Sequence, residues 1–159
     1  MKNNTAVIIV DMQDFFLKNF KSDIRNKLIA NQIKVIDFYL KNKTPFVLLE
    51  YRCRGIFRGK VIKEIDQRIK GVNREYIVKE NNSGFTNTKL DEILKKWGIR
   101  NIVLMGINAN GCVQDTAIGA IHRGYKVLTS FDIIASSSRA DFSLSPQNKK
   151  WYQKNIGLM

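Results

Sequence analysis

The amino-acid sequence predicts an α/β protein built on a six-stranded, mainly parallel sheet. Short apolar runs alternate along the chain with segments in which apolar residues recur every three or four positions. The runs are continuous rather than interrupted by polar residues, which indicates strands that are buried on both faces. The chain has 159 residues, the usual size of one domain, and we expect residues 1–159 to form a single domain.

The alternation can be followed element by element. The clearest strand segments are Ala6–Val10, Phe46–Leu49, Tyr76–Val78, Ile102–Met105 and Lys126–Ile134. The apolar spacing predicts helices at Phe15–Leu40, in a short stretch within Val61–Ile69, and at Thr88–Trp97, Val113–Ile121 and Ser145–Gly157. Strands joined by crossover helices are typical of a parallel α/β sheet.

Composition excludes several classes of protein. Hydrophobic residues make up 44% and charged residues 26% of the sequence, as in folded globular proteins. The first apolar run is too short for the core of a signal peptide, and charged residues interrupt every candidate membrane span. Cys53 and Cys112 do not form the pattern of a disulfide framework. We therefore expect a cytoplasmic protein that does not contact membranes.

The chain is strongly basic. Its formal net charge is +13, and eight of its lysine and arginine residues lie between Arg52 and Arg74. Such a charge attracts anions over long range. Because no aromatic-interleaved groove or nucleic-acid-binding motif accompanies the charge, we expect a solvated basic surface and a small-molecule partner, with a preference for anionic ones, rather than nucleic acid.

Three reactive side chains follow predicted strands directly. Asp11 follows the first strand, Lys79 follows the third, and Cys112 lies in the turn after the fourth. Ligands of parallel α/β sheets bind beyond the carboxyl ends of the strands, so we expect these side chains to meet there. His122 is the chain's one histidine and ends a predicted helix, which nearly excludes a histidine-based triad.

These residue types suffice for amide hydrolysis by a thiol. The reaction needs a thiolate, a group that carries the thiol proton to the leaving amine, and donors for the oxyanion. We expect the helix N-terminus and the Lys79 ammonium to lower the pKa of Cys112, and Asp11 to shuttle the proton. The Gly- and Asn-rich turn Gly106–Cys112 can aim backbone N–H groups at a substrate oxygen.

The pattern resembles the isochorismatase-like cysteine hydrolases, which include nicotinamidases, carbamoylsarcosine amidase and ureidoacrylate amidohydrolases. The resemblance extends nearly from end to end. It rests on AVIIVDMQ at positions 6–13, VK at 78–79 with SGF at 83–85 and TKL at 88–90, and GINANGCV at 106–113 with TA at 116–117. Each piece is moderately specific, and their combination in this order is hard to produce by chance.

The resemblance implies a three-layer α/β/α, Rossmann-like fold with Asp11, Lys79 and Cys112 as the catalytic triad. It also implies a cis peptide bond between Ile107 and Asn108, with the amides of Asn108 and Cys112 forming the oxyanion hole. A homo-oligomer is a further implication. The expected activity is cysteine-dependent hydrolysis of an amide or ureido C–N bond in a small molecule, through a thioester acyl-enzyme.

Four further side chains are candidate walls of the substrate pocket. Phe15 and Phe16 follow Asp11 closely, so that one could enclose the pocket while the other enters the core. Phe85 is another candidate. Glu50 ends the second strand, where ligand groups occur, although capping of the next segment explains it equally well.

Other interpretations stay open at this point. Lys79 is also explicable as a surface lysine and Asp11 as a helix cap, although their joint occurrence with Cys112 favours chemistry. A binding or regulatory protein that kept the fold and lost turnover is one alternative. An isochorismatase-type ether hydrolase is another, but the resemblance implies that such enzymes lack the nucleophilic cysteine.

We predict that activity needs no metal and no other cofactor. Nicotinamidases carry an Asp-x-His motif after the second strand and a further histidine, whereas this chain reads Glu50-Tyr51-Arg52-Cys53 there and has one histidine in all. The ligand set for zinc is therefore incomplete, and nicotinamide is a disfavoured substrate. Treatment with EDTA should leave hydrolysis unchanged. Stoichiometric zinc in the purified protein, with activity lost when the zinc is removed, would contradict this prediction.

Overall fold

A computed structural model describes residues 4–137 and 143–159 of the chain. Its strands are β1 (Thr5–Val10), β2 (Phe46–Cys53), β3 (Ile56–Phe57), β4 (Arg74–Lys79), β5 (Asn101–Ile107), β6 (Lys126–Thr129), β7 (Ile134–Ala135) and β8 (Gly157–Leu158). Its helices are α1 (Asp14–Leu17), α2 (Ser22–Lys41), α3 (Lys63–Arg68), α4 (Leu90–Trp97), α5 (Cys112–His122) and α6 (Pro146–Asn155).

β1 lies at the centre of the sheet, between β2 and β5, and is parallel to both. β4 pairs with β2 on one side, while β6 and then β8 extend the other side, all in parallel. Only β3 is antiparallel, in a hairpin with the end of β2. The mainly parallel α/β sheet is therefore confirmed, with eight strands instead of six. Two-residue strands such as β3 and β8 are too short to produce a hydrophobic pattern.

Two predicted elements are divided in the structure. The single helix predicted over Phe15–Leu40 is wrong, because α1 ends at Leu17 and α2 begins at Ser22. Phe20 lies in the break and is buried, so the apolar spacing continues although the helix does not. The predicted strand Lys126–Ile134 is likewise split into β6 and β7 by a turn at 130–133. Hydrophobic spacing reports burial, and burial persists across a turn in the backbone.

The sheet is covered on both faces. Every residue from Ala6 to Val10 in β1 is buried, and most of β2 and β5 is buried as well. Successive strand residues point to opposite faces, so uninterrupted burial requires helices on both sides of the sheet. No helix in the part of the chain that the structure describes is both long and apolar enough to span a membrane.

β1 and β5 approach each other closely at their carboxyl ends. Gly106 has φ +132, and a Cβ atom there would lie 2.1 Å from the carbonyl oxygen of Val10. Asp11, the residue after β1, has φ 53, in the left-handed region that few non-glycine residues occupy. Unusual backbone on two adjacent strands thus coincides with the edge where the reactive side chains were predicted.

We predict that Gly106→Ala lowers the free energy of unfolding by about 3 kcal/mol or more, since a backbone oxygen cannot move out of the way of the new methyl group. Gly124→Ala is the matched control, because Gly124 also has a positive φ, +83, but no atom lies within 4 Å of the place that a Cβ atom would occupy. That variant should lose only about 1–2 kcal/mol. Urea unfolding measures both, and equal losses would contradict the packing argument.

Candidate active site

Asp11 and Lys79 form a buried ion pair at the carboxyl ends of β1 and β4. Lys79 Nζ donates to Asp11 Oδ2 at 3.0 Å and to the carbonyl oxygen of Asn81 at 3.2 Å. The side chains of Lys79 and Asp11 are only 0% and 5% exposed. β2 separates the two strands, and Lys79 reaches across its end with the ammonium 4.4 Å from the centre of the Tyr51 ring.

The Asp11 carboxylate is suited to accept a proton. Burial raises its pKa, while the charge of Lys79 and hydrogen bonding with Cys112 and Lys79 act in the opposite direction. Oδ2 is occupied by Lys79, whereas Oδ1 has no hydrogen-bond partner at normal distance among the described residues. A buried carboxylate oxygen without a donor is unfavourable, so it is the natural position for an incoming proton.

Cys112 is the first residue of α5 and is half-buried. Burial and the Asp11 carboxylate raise the pKa of its thiol to about 12, although the Lys79 ammonium acts in the opposite direction. The prediction that this pKa is lowered is therefore wrong, because burial and the carboxylate together outweigh the ammonium. The thiol is protonated at neutral pH and lies 3.8 Å from Asn82 Oδ1.

The turn before Cys112 contains a cis peptide bond between Ile107 and Asn108, as the resemblance implies. Two serines after β7 hold its asparagine side chains. The backbone N–H and the hydroxyl of Ser137 both donate to Asn108 Oδ1 at 2.8 Å, and the Ser136 hydroxyl donates to Asn110 Oδ1 at 2.5 Å. The turn is therefore tied to the end of β7.

Several backbone groups of this turn form hydrogen bonds within the turn or with the end of β7. Asn108 O accepts from Gly111 N at 3.0 Å, and Ala109 N donates to Ala135 O at 2.8 Å. The N–H groups of Asn108 and Cys112 donate to no acceptor within the described ranges. These are the two amides that the resemblance assigns to an oxyanion hole, and both are available to a ligand.

Gln13 and Tyr51 belong to the site but were missed in the sequence. Gln13 is fully buried, accepts from Tyr51 N at 2.7 Å and donates to Gly59 O at 2.6 Å. It thereby joins the end of β2 and the basic loop to β1. The signal for Tyr51 was available in the sequence. The rule that drew attention to Glu50, which follows the predicted strand Phe46–Leu49, applies equally to the next residue on the other face.

The two phenylalanines after Asp11 have different surroundings. Phe16 is half-buried, and its ring centre lies 6.1 Å from that of Tyr51, beside the ion pair. Phe15 is 37% exposed and packs between Lys18 and Arg58, each 4.5 Å from the ring centre. Phe16 is thus the member of the pair that lies nearer to the reactive groups.

Glu50 and Phe85 lie farther from the reactive groups. Glu50 Oε1 accepts from Val61 N at 2.9 Å, which precedes α3 and does not cap it, and Glu50 lines a separate cavity of about 430 Å³. Phe85 is buried, stacks on Tyr125 with ring centres 6.0 Å apart, and lies under the Arg123 guanidinium. Both side chains support the segments around the site.

An open groove of about 560 Å³ lies at Asn82, whose Oδ1 is 3.8 Å from the sulfur of Cys112. It is lined by Tyr51, by residues 80–83 and 86, and by the outer face of α5 at Asp115, Ile118, Gly119 and Arg123. In the described part of the chain, none of the basic residues between Arg52 and Arg74 lines it. Arg52 reaches its edge through a 3.5 Å ion pair with Glu80.

Close packing fixes one wall of this groove. Gly84 N donates to Thr116 Oγ1 at 2.9 Å, which attaches the loop to α5. A Cβ atom on Gly119 would lie 2.9 Å from Ser83 Oγ, and one on Gly84 would lie 2.4 Å from Leu49 Cδ1. The SGF and TA motifs are therefore explained by the contact between this loop and α5.

The family follows from comparison with known proteins. The family model of the Isochorismatase domain matches residues 5–148 of this sequence. The chain belongs to the isochorismatase family. It is similar to nicotinamidase 3 of Arabidopsis thaliana, with 31% identity over 144 residues that cover 82% of this chain and 73% of that protein.

Two other members of the family are informative. A ureidoacrylate amidohydrolase of Agrobacterium fabrum is 46% identical over 43 residues, which are 27% of this chain and 19% of that protein. The crystal structure of N-carbamoylsarcosine amidase from Thermoplasma acidophilum superposes with a TM-score of 0.82 at 25% identity, over 98% of this chain and 95% of that one. The chain is therefore an isochorismatase-family hydrolase with the predicted fold.

The residues at the nicotinamidase metal position do not fit a zinc ion. Glu50 is held by Val61, and the neighbouring Arg52 is paired with Glu80. Within residues 4–137 and 143–159, no three His, Cys, Asp or Glu side chains come together as a ligand set.

We predict that alkylation of Cys112 by iodoacetamide depends on Asp11. Asp11 must be ionised to take the thiol proton, and its pKa is raised, so the rate should fall on acidification at a higher pH than an ordinary carboxyl group, with its pKa of about 4, would cause. In Asp11→Asn this fall should disappear, and labelling of Cys112 should instead follow the ionisation of the thiol itself, whose pKa the lost carboxylate no longer raises.

Cys53 is the internal control for this experiment, because its labelling rate should be the same in both proteins. Mass mapping of the two labelled peptides against pH gives both rates. Faster labelling of Cys53 than of Cys112 in the native protein, or the same fall of the Cys112 rate on acidification in Asp11→Asn, would count against the assigned roles.

Proposed function

We propose that this protein hydrolyses a carbon–nitrogen bond of a small amide or ureido compound through a thioester on Cys112. One observation carries the proposal: the Cys112 thiol lies at the same edge of the sheet as an oxygen of buried Asp11 and two backbone amides that have no partner among the described residues. The relatives named above as a nicotinamidase, a ureidoacrylate amidohydrolase and a carbamoylsarcosine amidase support this reaction class.

Acylation follows from the positions of these groups. Asp11 Oδ1 takes the proton from Cys112 Sγ as the sulfur attacks the carbonyl carbon, and the carbonyl oxygen becomes an oxyanion between the N–H groups of Asn108 and Cys112. Asp11 then gives the proton to the nitrogen. The C–N bond breaks, the amine or ammonia leaves, and a thioester remains on Cys112.

Deacylation repeats the sequence with water. Asp11 takes a proton from the water as its oxygen attacks the thioester carbon, and the same two amides hold the oxyanion. The C–S bond breaks, the acid leaves and the sulfur regains its proton from Asp11. Lys79 keeps its proton throughout, and its charge stabilises whichever of Asp11 and Cys112 is negative.

An anionic substrate is part of the proposal. The groove at Asn82 has the volume of a small-molecule site and contains carboxylates at Glu80 and Asp115 as well as the cation Arg123. Arg52 is already paired with Glu80 at the edge of the groove. We therefore take Arg58 as the candidate contact for a carboxylate, because it packs on Phe15, which contacts Phe16 beside Tyr51.

Two further properties belong to the proposal. Both cysteines are free thiols, which supports a reducing, cytoplasmic location. Apolar side chains are exposed at Phe38, Ile56, Phe57, Tyr76 and Val78, and covering them would favour a homo-oligomer, whose mass light scattering measures.

The test is a panel of small amides and N-carbamoyl compounds in carboxylated and uncharged pairs, followed by ammonia release. We expect turnover that Cys112→Ser abolishes, and a preference for carboxylated members of about tenfold to a hundredfold in kcat/KM. Arg58→Gln should remove a preference due to direct contact. A preference that disappears in high salt indicates long-range steering instead.

Negative results are also informative. Binding of panel members without turnover, together with slow alkylation of Cys112, would favour a silent binding protein of this fold. Turnover that Cys112→Ser leaves intact would exclude the thioester mechanism. Equal kcat/KM for both members of every pair would remove the anionic substrate while leaving the amidase reaction in place.

A further inference from the structure

The C-terminal helix α6 makes a direct contact with the turn that precedes the nucleophile. Tyr152 is fully buried, and its hydroxyl donates to the carbonyl oxygen of Ala109 at 2.5 Å. α6 is itself well anchored. It begins with a Ser145 cap on Asn148 N, and β8 follows it and pairs with β6. The hydroxyl is thus presented by a fixed element.

Ala109 lies between the two residues whose amides are unbonded. Its N–H donates to Ala135 O at 2.8 Å on one side, and its carbonyl accepts from Tyr152 on the other. The peptide groups on both sides of Ala109 are therefore held in orientation. Asn108 and Cys112 flank this fixed point in the same turn.

We propose that the Tyr152 hydroxyl is a positioning group that holds the amides of Asn108 and Cys112 in the geometry of an oxyanion hole. The inference rests on the proposed function. To that function the inference adds a residue of the C-terminal helix, Tyr152, which touches neither the substrate nor the reacting atoms.

The hydroxyl and the ring of Tyr152 have separable roles. The ring packs edge-on against Trp151 and Phe131, with centres 5.1 and 6.4 Å away, and contributes to the core. The hydroxyl is directed at the turn. Burial raises the pKa of Tyr152, so the hydroxyl keeps its proton and donates throughout the neutral range. Removing the oxygen alone, in Tyr152→Phe, leaves the ring contacts in place.

A matched control exists elsewhere in the sheet. Thr129 is fully buried, and its hydroxyl donates to a backbone carbonyl, Leu104 O, at 2.7 Å. Thr129→Val removes one buried hydroxyl-to-carbonyl bond without touching the turn. Phe131→Leu is the converse variant, because it loosens the packing of the Tyr152 ring and leaves the hydroxyl.

Three measurements distinguish positioning from stability. For the best substrate of the panel, Tyr152→Phe should lower kcat about tenfold to a hundredfold and leave KM within about twofold. Benzaldehyde is a probe that can add to the Cys112 thiol: a C–S bond forms, and the carbonyl oxygen gains the thiol proton. The loss of carbonyl absorption measures its affinity. In Tyr152→Phe that affinity should fall about tenfold. Alkylation by iodoacetamide, which needs no oxyanion hole, should change by less than about twofold.

Thr129→Val and Phe131→Leu should lower the melting temperature and leave kcat and benzaldehyde affinity within about twofold of the native protein. The proposal is overturned if Tyr152→Phe loses activity only in proportion to its melting temperature, if alkylation slows with kcat, or if the variant does not fold. If the native protein hydrolyses no panel compound, the proposed amidase reaction is wrong. The role of Tyr152 is then still decided by whether Tyr152→Phe lowers benzaldehyde affinity without slowing alkylation.

Discussion

The buried pair of Asp11 and Lys79 is the interaction on which the site depends. Removing two charges from water costs several kcal/mol for each ion, and their attraction offsets this only with good geometry and additional partners. The structure supplies these partners in the Asn81 carbonyl and the Tyr51 ring. Compensation is incomplete on the Asp11 side, where one oxygen lacks a donor in the described part of the chain and the pKa is raised. That incompleteness is why we propose Asp11 as the base.

Charge balance explains why a protonated thiol is compatible with catalysis. In the resting site, Lys79 is positive, Asp11 is negative and Cys112 is neutral, so the buried group carries no net charge. Proton transfer from sulfur to Asp11 moves the negative charge from the carboxylate to the sulfur. The net charge of the three groups stays the same. Both anions interact with the same ammonium. A thiolate formed beside an ionised Asp11 would instead add a second buried negative charge, which burial opposes.

The sequence was sufficient for features that follow from local order along the chain. Apolar runs located the central strands, and the residues after them identified Asp11, Lys79 and Cys112. Features that depend on distant contacts were not accessible. The pKa of Cys112 depends on burial and on a carboxylate about a hundred residues away, and no spacing reveals that Tyr152 reaches Ala109. The split of the first predicted helix escaped detection because Phe20 keeps the apolar period through the break.

The basic loop after β2 is attached at three points to the part of the protein that holds Asp11, Lys79 and Cys112. The reacting groups lie at the ends of β1, β4 and β5, which the sheet holds rigidly. The segment after β2 is joined to this frame at Gly59 through Gln13, at Val61 through Glu50 and at Arg58 through Phe15. A substitution between these anchors changes the loop and leaves Asp11, Lys79 and Cys112 where they are. The exposed segment 54–57 precedes these anchors, so we expect substitutions there to cost the least stability.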